Sequence, residues 1–152
     1  HSDYVHFGSM PELMLAGVWV ALEDISPESG PLSIVPHSHK LPIFYFEDHD
    51  LPNFPPKNLS DIKDNYSFYE KWVVDQIAKH KLKAIAPELK AGEALVWAAN
   101  LLHGAGAIEN RRLTRKSQVT HYHFKSCDFF YNPNFSTREK YMQRDLGESV
   151  IK

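Results

Sequence analysis

A chain of 152 residues with 43% hydrophobic and 24% charged residues suits one domain with a single core, in the composition range of ordinary soluble proteins. A formal charge of -2 supplies no broad basic field and argues against nucleic acid or an anionic membrane as partner. No apolar run approaches the roughly 20 residues that span a bilayer, and the single cysteine, Cys127, permits no intrachain disulfide, so a reducing, cytoplasmic setting is expected.

The chain opens on His1-Ser2-Asp3 without a methionine and reads as a segment that lacks upstream elements. Met14 to Leu22 is apolar around Trp19 and predicts a strand that stops at Glu23-Asp24. Ser26-Pro27-Glu28-Ser29-Gly30-Pro31 is a dense turn signal, and Leu32 to Val35 predicts a short buried strand ended by Pro36. Leu41 to Asp64, rich in aromatics, prolines and acids, has weak periodicity and is expected as a long ordered loop. From Tyr66 to Lys81 the spacing of Tyr69, Trp72, Val73 and Ile77 predicts a helix. Residues 41–83 are therefore expected as a lid-like insertion between two strand-rich halves.

Beyond it, Ala84 to Leu89 and Ala94 to Ala98 predict strands around the turn Lys90-Ala91-Gly92-Glu93. Arg115 to Phe124 alternates, with Arg115, Ser117, Val119, His121 and His123 on one face. Ser136-Thr137-Arg138-Glu139 is a capping-box pattern that predicts a terminal helix.

A His-x-Asp pair at 1–3, a distant His103 in Trp97-Ala98-Ala99-Asn100-Leu101-Leu102-His103-Gly104, and Arg115 further along are the constituents of a non-haem iron site that uses a 2-oxo acid. Two imidazoles and one carboxylate occupy one face of an octahedral Fe(II) and leave the opposite face for cosubstrate and O2. A guanidinium offers a planar fork that grips a carboxylate in bidentate fashion.

The segments GVWVALEDISPESGPLSIVPHSHK, GEALVWAANLLHGAG and TRKSQVTHYHF together resemble the phytanoyl-CoA dioxygenase family, over most of residues 1–124. The resemblance implies a mainly β fold, the double-stranded β-helix or cupin-like jelly roll, with the helix-containing insertion set into one domain over 1–152. It implies an Fe(II)- and 2-oxoglutarate-dependent dioxygenase that hydroxylates a small organic substrate and releases succinate and CO2. His1, Asp3 and His103 would bind Fe(II), Arg115 and Ser117 would hold the far carboxylate of 2-oxoglutarate, and Trp19 would line the cosubstrate pocket. Halogenases of related type carry a small residue in place of the Asp, so Asp3 points to hydroxylation. One departure stands out: Pro36-His37-Ser38-His39 occupies a place where the family usually has Pro-Gly-Ser-His.

Each assignment has rivals. His121 and His123 compete with His103, although they follow the Arg instead of preceding it, and His121 suits a supporting place inside the barrel. Arg111 and Arg112 compete with Arg115 but suit a solvated turn around Glu109-Asn110. Trp19 is equally at home as plain core. His6, His37 and His39 stay open between surface and pocket rim, and Cys127 reads as a quiet small hydrophobe. Lys79, Lys81 and Lys83 suit a solvated helix end as well as an anionic substrate. Two other functions fit part of the pattern: a catalytically silent jelly-roll binding domain that keeps metal for structure, and a copper centre built on a terminal His1.

Overall fold

The structure, a computed structural model, describes residues 1–127 and 129–138, and its architecture is mainly β with few helices. In chain order they form β1 (Gly8–Met10), β2 (Leu15–Ala21), β3 (Leu32–Ile34), the helix α1 (Leu59–Lys79), β4 (Ala94–Ala98), β5 (His103–Ala105), β6 (Ser117–His123) and β7 (Phe129–Tyr131). Strict alternation makes β2 the centre: Leu15, Gly17, Trp19 and Ala21 are buried, while Ala16, Val18 and Val20 face the other way. It lies between β4 and β6 in an antiparallel sheet, and β3 pairs with β5 in a second one. On the inner face the register places Trp97, Gly17 and His121 in one row and Leu95, Trp19 and Val119 in the next.

The inner face of the larger sheet packs on β3 through Trp19, Ala21, Leu32 and Trp97, with Ile34, Leu89 and Leu95 against them. Each large apolar side chain buried there stabilises the fold by about 1.5–3 kcal/mol. Two antiparallel sheets closed over a common apolar layer are the jelly-roll arrangement expected from the sequence.

Two expectations need adjusting. Ala84 to Leu89 contributes only one bridge, Ile85 to Ile34, in which the two residues exchange both backbone hydrogen bonds at 2.8 and 2.9 Å. Pro87 follows and has no N–H to continue a ladder. The helix begins seven residues before Tyr66, at Leu59 rather than inside a loop ending at Asp64. Its start is set by Asn58, whose side chain accepts from the N–H groups of Ser60 and Asp61 at 2.8 and 3.0 Å. The predicted terminal helix lies outside the described residues from Glu139 onward.

His37 sits in the left-handed region, φ 69° and ψ -7°. The backbone there has the shape that a glycine adopts without strain.

The insertion packs through an aromatic cluster of its own: Phe44, Phe46 and Tyr69 surround Val5, with Phe54, Tyr66 and Trp72 packed outside. Arg138, the last described residue, docks on it, with its guanidinium 4.0 Å from the centre of the Tyr45 ring and paired to Glu47 and Asp48.

Burial pushes the hydroxyls of Tyr4, Tyr45 and Tyr131 well above the ordinary tyrosine value of 10.0, and that of Tyr69 up to about 12. A folded-state value above the unfolded one means that the native protein binds more protons. The stability from these groups is therefore whole below pH 10 and drains away as the pH climbs toward 12. Base titration should give cooperative unfolding, followed by circular dichroism, in step with tyrosinate absorbance. Ionisation of all four near pH 10 with the fold intact would contradict this packing.

Candidate metal centre

Asp3 starts a 3-10 turn over Asp3–Val5, in which its carbonyl accepts from the N–H groups of His6 and Phe7 at 2.9 Å each. The N–H of Tyr4 donates to the Ala99 carbonyl at 3.0 Å, which locks the turn against the end of β4. The Asp3 side chain is thereby turned inward and is only 3% exposed. His103 begins β5, and its backbone N–H donates to the carbonyl of His1 at 2.8 Å while the His1 nitrogen donates back at 2.9 Å. These two bonds hold the segments bearing the imidazoles side by side.

The three side chains converge. Asp3 Oδ1 is 3.4 Å from His103 Nε2 and 3.9 Å from His1 Nε2, and one ligand atom from each residue lies within 4.8 Å of the others. Donors bound at about 2.1 Å on one octahedral face lie about 3 Å apart, a spacing that small side-chain rotations reach from here. His103 Nδ1 lies 3.0 Å from the Leu101 carbonyl oxygen. A carbonyl only accepts, so Nδ1 carries hydrogen and Nε2 is the atom that faces the centre.

Burial alone would raise the Asp3 carboxyl. Hydrogen bonds from His103 and Trp97, with the neighbouring His103 and His121 rings, outweigh it and hold the carboxyl below its ordinary value. The group is kept ionised, as a metal ligand must be.

A cavity of about 270 Å3 opens on this centre and is lined by His1, Asp3, Trp19, Trp97, His103, Arg115 and His121 among others. Arg115 donates from Nη1 to the Gly30 carbonyl at 2.5 Å, which pins the guanidinium at the cavity wall. Five of the six residues singled out by sequence thus meet: His1, Asp3, His103, Trp19 and Arg115. Ser117 lies on the same sheet face opposite Ala21 but is not among the cavity-lining residues. Arg111 lines a second cavity of about 540 Å3 that shares Ala105 and Arg115 with the first. His37 and His39 are exposed and His6 stacks on Tyr66, while His121 enters the cavity.

Sequence reading missed three supports. Trp97 Nε1 donates to Asp3 Oδ2 at 2.6 Å, and Ser38 Oγ accepts from the Leu102 N–H at 2.8 Å beside His103. Tyr69, from the middle of α1, accepts the Ser2 N–H at 2.8 Å between the first two ligands. None of these partners is near in sequence, so only the register and the docking of α1 reveal them.

Within residues 41–83, none is among the residues lining the cavity; Tyr69 supports the ligand turn from behind. Tyr69→Phe should leave the buried Ser2 N–H without its partner, at about 1–3 kcal/mol. Urea unfolding should show that loss, and the rise in melting temperature on adding a divalent metal should shrink. Wild-type values for both would mean that Tyr69 does not position the ligand turn.

The described residues contain no helix long and apolar enough to cross a membrane. No curated protein sequence matches the chain. Solved structures that resemble it include EctD from S. alaskensis with 2-oxoglutarate and 5-hydroxyectoine, at 21% identity over 80% of this chain and 35% of that one, TM-score 0.46. The epimerase SnoN in complex with Fe3+, alpha ketoglutarate and nogalamycin RO matches at 24% identity over 80% and 38%, TM-score 0.44. AviO1 from Streptomyces viridochromogenes Tue57 matches at 18% over 84% and 43%, TM-score 0.46. The chain thus spans well under half the length of these proteins. The family model described as Phytanoyl-CoA dioxygenase (PhyH) matches residues 1–117, the stretch that carries His1, Asp3, His103 and Arg115, and the chain belongs to the phytanoyl-CoA dioxygenase family.

Proposed function

We propose that this chain carries the metal and cosubstrate centre of an Fe(II)- and 2-oxoglutarate-dependent dioxygenase acting on a small organic substrate. The observation that carries this reading is the convergence of His1, Asp3 and His103 within 4.8 Å in a cavity whose wall also holds Arg115. His1 and His103 would bind Fe(II) through imidazole nitrogen and Asp3 through Oδ1. Bound Fe(II) with 2-oxoglutarate supplies O2 activation, coupled to oxidative decarboxylation to succinate and CO2.

The protein's own contributions follow from the side chains. Asp3 would supply the one anionic donor of the three and neutralise part of the metal charge. Arg115 presents a fixed cation to the far carboxylate of 2-oxoglutarate, while Trp19 and Leu32 form apolar walls that keep water from the cosubstrate. Ser117 would add a hydroxyl at the same carboxylate after a small shift of β6. With the carboxylate position filled by Asp3, hydroxylation is the favoured outcome. Residues 1–152 would act as one domain, in which 41–83 braces the ligand turn through Tyr69.

The test is uptake of Fe(II) without oxygen, then succinate formation from 2-oxoglutarate on admitting O2, by the chain within its full-length protein. Iron-dependent succinate is expected even without the true substrate, at an uncoupled rate. Stoichiometric metal with neither binding nor consumption of 2-oxoglutarate would replace this reading with that of a silent metal-containing binding domain.

A further inference from the structure

We infer that the cross-strand row Trp97–Gly17–His121 is a carboxylate cradle that commits Asp3 to bind metal through Oδ1 alone. The inference rests on the metal-centre reading above and concerns residues that are not themselves ligands.

The two oxygens of Asp3 meet different surroundings. Oδ1 faces the imidazoles of His103 and His1 at 3.4 and 3.9 Å. Oδ2 faces the larger sheet, where Trp97 Nε1 donates to it at 2.6 Å and His121 Nε2 approaches to 3.2 Å. The first is a short, buried hydrogen bond. The second is a close contact without a hydrogen bond, and His121 Nε2 is buried with no hydrogen-bond partner elsewhere. Trp97 and His121 project from β4 and β6, the two neighbours of β2, and Gly17 is the residue of β2 that pairs with both.

The absence of a side chain at Gly17 is what lets the indole lie over the sheet. A Cβ there would stand 2.4 Å from Trp97 Nε1, the atom that holds Oδ2. The far sides of both rings are filled as well. Trp97 packs on His103 at 4.7 Å between ring centres, and Phe7 packs on His121 at 4.7 Å.

The chemical consequence is a position on the metal. A carboxylate that binds through both oxygens uses two sites of an octahedron, whereas a single bound oxygen leaves three beside two histidines. Those three are what a chelating 2-oxo acid and O2 together require. Trp97 and His121 are therefore positioning residues, acting through Asp3.

Co(II) titration of the full chain without oxygen tests this, reading both the dissociation constant and the intensity of the visible absorption band, which falls as coordination number rises. Trp97→Phe and His121→Leu free Oδ2 and should weaken Co(II) binding roughly 10–100-fold with a fainter band, while His121→Gln, which keeps an N–H, should stay within about threefold of wild type. Gly17→Ala should reproduce the Trp97→Phe spectrum. If a change at the core tryptophan unfolds the protein, the two His121 variants decide alone.

Wild-type affinity and band in His121→Leu would overturn the cradle, as would equal losses in Leu and Gln, which would make His121 mere packing. Failure of the wild-type chain to take up Co(II) would instead overturn the metal-centre reading beneath it.

Discussion

Asp3→Ala should abolish Fe(II)-dependent succinate formation, a loss well beyond the roughly 10–100-fold that follows removal of a group merely supporting a ligand. The carboxylate is the one anionic donor among the three converging side chains, so its removal leaves two neutral imidazoles to hold a dication. It also strips Trp97 Nε1 of its acceptor, and the apo protein should lose about 1–3 kcal/mol in urea unfolding. His103→Ala should remove turnover equally while leaving the Trp97 bond in place, which separates loss of the centre from loss of the fold. Metal analysis and succinate assays on both variants check this. Undiminished turnover by either, with iron bound, would exclude the residue as a ligand.

The second large effect is expected at Arg115. Arg115→Ala should raise the 2-oxoglutarate concentration needed for half-maximal turnover by about 10²-fold, from the loss of one or two charge-assisted hydrogen bonds at about 1.5–3 kcal/mol each. Fe(II) affinity should hardly change, because the metal-facing atoms belong to other residues. Arg115→Lys should fall between, since an ammonium keeps the charge but lacks the planar fork. A variant that lost iron and kept its 2-oxoglutarate requirement would remove Arg115 from the anchoring role. Arg111→Ala is the control: its side chain lines the neighbouring cavity, and the requirement should stay near wild type.

The reach of sequence reasoning differs from residue to residue. A continuous apolar run around Trp19 makes β2 readable and alternation makes β6 readable, and the shared face of Arg115, Ser117, Val119, His121 and His123 follows from the period of two. The start of α1 was legible in principle from Asn58 with Asp61 three residues on, but the buried face there is polar: Asp61 and Asn65 are held by local hydrogen bonds, so hydrophobic spacing misses that turn. β1, β5 and β7 span three residues each, too short for any periodicity to register. Pro87 is visible in the sequence, and its missing N–H limits Ala84 to Leu89 to the single bridge at Ile85.

What the sequence determined by itself is the chemistry on offer: an His-x-Asp pair, a later histidine, an arginine, and strands of period two to carry them, because residue type and alternation are local properties. The tertiary structure alone decided which atoms meet. Trp97 lies 94 positions from Asp3 and Tyr69 lies 67 from Ser2, and such pairs are brought together by strand register and helix docking. Register is set by the whole buried face of a sheet, and a slip of one residue would turn Trp97 and His121 outward and leave Asp3 alone.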